Sequence, residues 1–297
     1  MHNQLTTFIL ARLDYSILEV VGVRFSFSGT LLCTFFVMAL SATVAWGGLA
    51  YNGSSTIGMG YMQAGAASKF TGKTGINVAP ILNDGTGKGL KALAEGKASL
   101  AGASRPLKPE ELAQGMVPTT IGYDAIAVFV NVDNPIFNLT KAQLKGIFTG
   151  RIRNWKEVGG KDATIVPNTE ILNGKRATIE MFQEMILDGE KYGNGFKQID
   201  LPRDQIVEVS HEKYGIASVS RGLLIAMTPE RRSRVKVIRV DNFNPNPTNV
   251  RSGRYPIARS LFMVTLGAPK GETKTFMDYV LSSEGQSIMK NNFVAVK

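Results

Sequence analysis

The chain has 297 residues, of which 44% are apolar and 20% are charged. This composition is typical of a globular protein with a substantial core, and the length allows one large or two medium domains. The formal net charge is +10, but the lysines and arginines are scattered, and the densest run, residues 231–234, has no interleaved aromatic residue. The charge pattern therefore argues against a nucleic-acid partner and leaves anionic ligands or an acidic surface.

The first 45 residues predict a leader for export. Leu31 to Ala45 is an apolar segment that follows Arg24 and ends in Thr43-Val44-Ala45, an acceptable cleavage signal. This order is typical of a secretory signal peptide. An uncleaved membrane anchor is the alternative, but the strongly apolar part is shorter than the ~20 residues that a spanning helix needs. We therefore predict a periplasmic or otherwise exported protein from which residues 1–45 are removed.

Cys33 is the only cysteine, and it lies inside this leader. Cleavage would leave a chain without a thiol, and hence without a disulfide, a cysteine nucleophile or a cysteine-ligated metal. The acidic residues show no spacing typical of a zinc or calcium site. The sequence therefore predicts no metal and no other cofactor.

From residue 48 onward, short apolar runs alternate with amphipathic stretches, which indicates an α/β fold with a mainly parallel sheet. In the first part of the chain we predict strands at 48–52, 76–82 and 98–102, and helices at 57–71, 87–95 and 108–114. A long apolar run from Tyr123 to Val132 is suited to a strand that crosses between two lobes, and Thr140 is expected to cap a helix over 140–148.

Beyond residue 160 the alternation continues, with predicted strands at 163–167, 214–219 and 235–240 and a helix at 174–187. The Asn/Pro-rich run 242–248 predicts a loop. A second long strand is expected from Tyr255 to Leu266, followed by one or two helices over 270–290. The two crossings, near 123–130 and 250–260, divide the mature chain into lobe 1 (46–125 and 255–297) and lobe 2 (126–254).

Three strand-to-helix junctions in the first part of the chain carry glycines and small hydroxyl residues, at 53–56, 83–89 and 103–106. The start of a helix leaves backbone N–H groups unpaired, and the helix dipole favours negative charge there. Neighbouring hydroxyls can donate to the same point. These junctions therefore predict a pocket for a small oxyanion.

Several segments match one family in order and spacing: Gly53-Ser54-Ser55-Thr56 and the runs at 85–93, 102–108, 138–160, 252–259 and 281–286. Over roughly residues 48–297 the chain resembles the PstS-like periplasmic binding proteins, the phosphate receptors of ABC importers. The resemblance implies a type II periplasmic-binding-protein fold, with two α/β lobes joined by two crossing strands and a ligand cleft between them. It also implies a monomer without enzyme activity that binds phosphate or a related oxyanion and delivers it to a membrane ABC permease.

The resemblance also implies a set of ligand-binding residues by their positions in these motifs: Ser54, Ser55, Thr56, Thr86, Gly87, Ser104, Arg105, Arg176 and Thr178. The 172–178 segment departs from the family pattern of an arginine followed by Ser-Gly-Thr. Leu172 occupies the arginine position, and Arg176 and Ala177 replace Ser-Gly. We expect Arg176 to restore the cation, because a guanidinium makes bidentate contacts with phosphate; a degraded site or a different ligand are the alternatives.

A second departure concerns the choice between phosphate and sulfate. Some family members carry an Asp after the third-loop serine, and this Asp accepts the proton of hydrogen phosphate. Arg105 stands at that position here, and Asp84 is the nearest acidic residue in the motifs. The preference for phosphate over sulfate therefore depends on the resemblance alone.

Two other functions remain open on the sequence. A phosphoester hydrolase could use the same anion-binding loops, and Ser210-His211-Glu212-Lys213 fits the short Ser-x-x-Lys pattern of penicillin-recognising enzymes. The altered 172–178 segment would also suit a structural or adhesive relative that has lost its ligand. A phosphatase assay and a panel of anions distinguish these hypotheses from a receptor.

Overall fold

The structure is a computed structural model that describes residues 47–224 and 227–297. The predicted leader, residues 1–45, lies outside these ranges. The described residues form one compact unit. Within the described ranges, every helix is too short or too polar to cross a lipid bilayer.

The β-strands are Leu49–Gly53 (β1), Val78–Leu82 (β2), Leu100–Ala103 (β3), Met116–Asn131 (β4), Asn138–Leu139 (β5), Val166–Thr169 (β6), Lys197–Gln198 (β7), Gly215–Ser220 (β8), Val235–Val240 (β9), Ala258–Leu266 (β10) and Val294–Ala295 (β11). The α-helices are Ser55–Ile57 (α1), Ala67–Thr74 (α2), Thr86–Ala94 (α3), Pro109–Ala113 (α4), Lys141–Phe148 (α5), Ala177–Met185 (α6), Pro202–His211 (α7), Pro229–Ser233 (α8), Pro247–Arg251 (α9), Gly271–Leu281 (α10) and Ser283–Asn292 (α11). A π-helical stretch, Gly58–Ala66, joins α1 to α2.

The strands are connected in the order β2-β1-β3-β10-β4-β8-β6-β7, and β9 and β11 also pair with β4. β1 lies parallel to β2 and β3, and β6 lies parallel to β7 and β8. By contrast, β4 and β10 are antiparallel to each other, β10 is antiparallel to β3, and β4 is antiparallel to β8. The prediction of a mainly parallel sheet therefore holds for each end of the strand order, whereas the two long strands make the sheet mixed.

The long strand β4 begins seven residues earlier than the predicted strand and changes partners along its length. Residues 116–125 pair with β10, whereas residues 126–131 pair with β8 and β9. Two separate hydrophobic clusters lie on either side of this change, one built around Phe70 and Phe276 and the other around Phe148 and Phe182. This arrangement supports the predicted lobe boundary at 125/126, which remains a prediction.

Several elements differ from the prediction, and α7 and α9 show the reason. α7 was not predicted, although Pro202 at its first turn, Asp204 and the buried Ile206 and Val209 are ordinary helix signals. The predicted loop 242–248 ends early, because Asn246 caps α9, whose first residue is Pro247. In each case proline occupies a position where its missing N–H leaves no helix hydrogen bond unmade.

The topology places the predicted junctions together. β1, β2 and β3 are parallel neighbours, so their carboxyl ends meet at one edge of the sheet. α1 follows β1, α3 follows β2, and Ser104 follows β3 directly. Loops at the carboxyl ends of adjacent parallel strands are where open α/β sheets bind ligands.

Candidate anion-binding site

One small cavity collects most of the predicted ligand-binding residues. Its wall is formed by Ser54, Ser55, Thr56, Gly85, Thr86, Ser104, Glu170, Arg176, Ala177 and Thr178. Seven of the nine predicted residues are in this wall, and they come from both sides of the predicted lobe boundary. The two that are not are Gly87 and Arg105.

Three helix starts contribute to the wall. Ser54 caps α1, Thr86 is the first residue of α3, and Ala177 is the first residue of α6. The first N–H groups of a helix have no partner within the helix, and the dipole gives that end a partial positive charge. Their convergence makes the wall favourable for negative charge.

Gly85, just before α3, allows the two halves to approach closely. Its φ is +96°, and an added Cβ would lie 2.9 Å from Cδ of Arg176. A side chain here would therefore be strained and would also clash with Arg176. The glycine is required by this packing across the cavity.

The hydroxyl groups of the first half form a short chain of hydrogen bonds. Ser54 Oγ donates to Ser104 Oγ at 2.9 Å, and the Ser104 backbone N–H donates to Thr86 Oγ1 at 3.3 Å. The oxygens of Ser104 and Thr86 thus already accept hydrogen bonds from the protein. A hydroxyl has one proton to donate, so both groups keep theirs for a ligand in the cavity.

Arg259 on β10 lies directly behind the cavity wall and was not among the predicted site residues. Its side chain is fully buried, and its guanidinium donates to Thr56 Oγ1 at 3.0 Å and to Thr178 Oγ1 at 3.2 Å. It also donates twice to Asp124 Oδ2, at 2.9 and 3.1 Å. Because these threonines belong to opposite halves, one cation fixes donors on both sides of the cavity.

Glu170, at the end of β6, is the only carboxylic acid in the cavity wall. The residue is 1% exposed, and its Oε1 has no hydrogen-bond partner among the described residues. Burial raises the pKa of Glu170 above its usual value, although Arg176, Arg259 and a hydrogen bond with Thr178 favour the ionised form. A carboxyl group that faces an anion must share or hold a proton to avoid repulsion.

Arg176 supplies a second buried guanidinium, and much of it is engaged by the protein. It donates to the Asn83 carbonyl at 2.7 Å and to Asp200 Oδ1 at 2.6 Å. Its Nε lies 3.8 Å from Glu170 Oε2. Arg176 therefore ties α6 to the loop before α3 while it contributes positive charge to the wall.

Comparison with known proteins identifies the family. Residues 41–284 match the PBP superfamily domain, which is most of the chain. The chain belongs to the PBP superfamily. The phosphate-binding protein PstS of Bacillus subtilis is 30% identical over 247 residues, which cover 82% of this chain and 78% of that protein. PstS of Borreliella burgdorferi is also 30% identical, over 72% of this chain and 78% of that protein.

Solved structures of substrate-binding proteins are also similar to this chain. A Clostridium perfringens substrate-binding protein with bound phosphate has 30% sequence identity and a TM-score of 0.75, covering 84% of this chain and 100% of that one. An ABC-type phosphate transport receptor from Vibrio cholerae shares the fold, with a TM-score of 0.68 at 24% identity. The predicted PstS-like resemblance and the type II fold are therefore confirmed.

Within this PBP superfamily site, three residues considered on the sequence lie outside the cavity wall. The Gly87 backbone N–H donates to the Lys175 carbonyl at 3.4 Å. Asp84 accepts a hydrogen bond from Asn52 at 2.9 Å and is not part of the wall. The Arg105 guanidinium is paired with two glutamates rather than directed into the cavity.

The sequence carried signals for the two residues that were missed. Arg259 is a charged residue inside the apolar run 255–266, and a buried charge in a strand normally has a specific partner. Glu170 follows β6 directly, and the carboxyl end of a parallel strand is a frequent place for ligand-binding side chains. The threonine partners of Arg259, however, lie more than 80 residues away in the chain.

Proposed function

We propose that this protein is an exported receptor that binds inorganic phosphate, or a closely related oxyanion, and delivers it to an ABC-type importer. The observation that carries the proposal is one cavity at which three helix starts and several hydroxyl groups meet, with one buried guanidinium group in its wall and a second directly behind it. The relatives named phosphate-binding protein and the phosphate bound in the Clostridium perfringens structure support the choice of anion.

In this proposal the anion exchanges its water shell for fixed donors. Ser104 and Thr86 donate from the first half, and Thr178 and the start of α6 complete the enclosure from the second. The strands that cross at 125/126 and near 255–258 would absorb the rotation of one half against the other. The closed form would then present one surface to the permease, and the receptor would work as a monomer without making or breaking a covalent bond.

The hydrolase alternative receives no support from the Ser-x-x-Lys pattern. Ser210 lies near the end of α7, where its hydroxyl donates to the Val207 carbonyl at 2.6 Å, and neither it nor His211 is part of the cavity wall. Release of p-nitrophenol from p-nitrophenyl phosphate tests this alternative directly. We expect a rate of release no higher than that of spontaneous hydrolysis in buffer without protein.

A thermal-shift panel on the chain from residue 46 onward tests the receptor proposal. Phosphate at about 100 times its Kd should stabilise the folded state by about 2.7 kcal/mol, and sulfate, molybdate and phosphonates give the specificity. In the double variant S55A/T178A the phosphate shift should disappear, because one donor is lost from each half. The matched control is S68A/T275A, which removes the same two hydroxyl types from exposed helix positions.

A full-size phosphate shift in S55A/T178A would contradict the site assignment. Failure of every anion to shift the melting temperature of the wild-type protein would instead favour the structural or adhesive alternative.

The predicted export is tested separately, by N-terminal sequencing of the secreted protein, which should begin near Trp46.

A further inference from the structure

An ion pair joins the two halves of the molecule beside the anion cavity. Arg105, in the loop after β3, donates from Nε to Glu180 Oε2 on α6 at 2.6 Å. The Arg105 side chain is 6% exposed and the Glu180 side chain 34%. The pair is therefore partly shielded from solvent, where charge-assisted hydrogen bonds are stronger than at an open surface.

Arg105 is held in place by its own half. Both of its terminal nitrogens donate to the Glu111 carboxylate at 2.8 Å, and one also donates to the Pro106 carbonyl at 2.9 Å. Glu111 in turn accepts from the Lys108 backbone N–H at the start of α4. These contacts fix the guanidinium and leave its Nε–H for the other half.

The position of the pair links it to the ligand donors. Arg105 directly follows Ser104, and Glu180 lies two residues after Thr178 on the same helix. Ser104 and Thr178 both line the cavity, one from each half. The 2.6 Å contact between Arg105 and Glu180 therefore ties the two sides of the cavity wall together next to these residues.

We propose that Arg105 and Glu180 form a cross-cleft latch that holds the closed arrangement and slows release of the bound anion. The inference rests on the proposed function, because it assigns these residues a positioning role for the same site. It also gives Arg105 a role that differs from the predicted one: the residue acts on the anion through closure rather than by contact.

A second electrostatic effect has to be separated from the latch. Glu180 places a negative charge near the anion site, so its neutralisation alone would strengthen anion binding. E180Q removes the charge at constant length, whereas E180D keeps the charge but is shorter by one methylene and loses the 2.6 Å contact. The latch predicts weaker retention in both variants, whereas a pure field effect predicts no change in E180D and tighter binding in E180Q.

The experiment measures the association and dissociation rates of phosphate for the chain from residue 46 onward. In both E180D and E180Q we expect dissociation to accelerate about tenfold while association changes by less than about twofold, since contacts made after encounter act mainly on the dissociation rate. The matched control is E184Q, which makes the same charge change at an exposed position one turn further along α6. Its rates should stay within about twofold of wild type.

A distance measurement on the anion-free protein tests the latch independently of which anion the protein binds. Spin labels at Q114C and K191C, both exposed and on opposite halves, report the distance across the cleft, and removal of the leader leaves no native cysteine. We expect a longer mean distance in E180D than in E184Q without any anion. Equal distances, or unchanged phosphate dissociation in E180D, would overturn the latch, whereas absence of phosphate binding in the wild type would overturn only the proposed function.

Discussion

Replacing Arg259 with methionine is expected to abolish phosphate binding and to lower the free energy of unfolding by about 3–5 kcal/mol. The stability loss follows because Asp124, a fully buried carboxyl group whose pKa burial already raises, would lose its ion-pair partner. The binding loss follows because Thr56 and Thr178 would lose the donor that fixes both hydroxyl oxygens. Urea unfolding measures the first effect, and titration calorimetry with phosphate measures the second.

The double variant R259M/D124N separates the two effects. Replacing both members of a buried ion pair is often nearly neutral for stability, so most of the lost stability should return. Phosphate affinity should not return and should remain at least about 100-fold weaker than in the wild type, since hydrogen bonds to charged groups contribute about 1.5–3 kcal/mol each. If the double variant binds phosphate within about tenfold of wild type, Arg259 serves only the packing of β10 against β4.

Changing Glu170 to glutamine is expected to remove the discrimination between phosphate and sulfate. Glu170 Oε1 has no hydrogen-bond partner among the described residues, so it can accept a hydrogen bond from a ligand. Hydrogen phosphate carries a proton at neutral pH, whereas sulfate does not. An ionised Glu170 therefore accepts from phosphate and repels sulfate. The amide of glutamine can donate to either anion, so sulfate affinity should rise by about 100-fold or more, a gain typical of pairing a polar group that was mismatched.

The measurement is a competition titration of phosphate against sulfate, with E184Q as the control for charge. A ratio of affinities in E170Q equal to that of the wild type would show that Glu170 does not select the anion. In some family members an Asp in the third loop accepts the proton of hydrogen phosphate. The titration also shows whether Glu170, which follows β6, accepts that proton here.

The pH dependence of the anion-free protein gives an independent check on Glu170. Its pKa is raised in the folded state, mainly by burial, so the folded protein holds this proton more tightly than the unfolded chain. Below the ordinary glutamate pKa of about 4.3 the group is protonated in both states and has no effect on stability. As the pH rises from that value to the raised one, the unfolded chain gives up the proton before the folded protein does, so the folded state loses stability, and the loss stays constant at higher pH. E170Q should therefore be more stable than wild type at neutral pH, and the difference should vanish below about pH 4.

Much of the site could be predicted from local sequence, because its donors are local features. The junctions at 53–56, 83–89 and 103–106 combine glycines, small hydroxyls and helix starts, and each of these signals lies within a few residues of the next. Parallel pairing of β1 with β2 and β3 then brings the three junctions to one edge of the sheet. The same local reasoning located Thr140 as the cap of α5, which the structure confirms.

The charged partners could not be predicted in this way, because their spacing in the chain is long. Arg259 meets Thr56 across 203 residues and Asp124 across 135, and Arg105 meets Glu180 across 75. No periodicity or motif specifies which of many arginines and carboxylates become neighbours. Arg105 was predicted to contact the ligand because of its position in a motif. In the structure its guanidinium is paired with Glu111 and Glu180 instead.

The amino-acid order alone determined that helix starts and hydroxyl groups stand at the ends of β1, β2 and β3, since those groups are set by residues adjacent in the chain. Only the tertiary structure decided which charges surround the cavity, because buried charges take the partners that packing brings within hydrogen-bond distance. The crossing strands β4 and β10 make that choice here, by carrying Asp124 and Arg259 side by side to the back of the cavity.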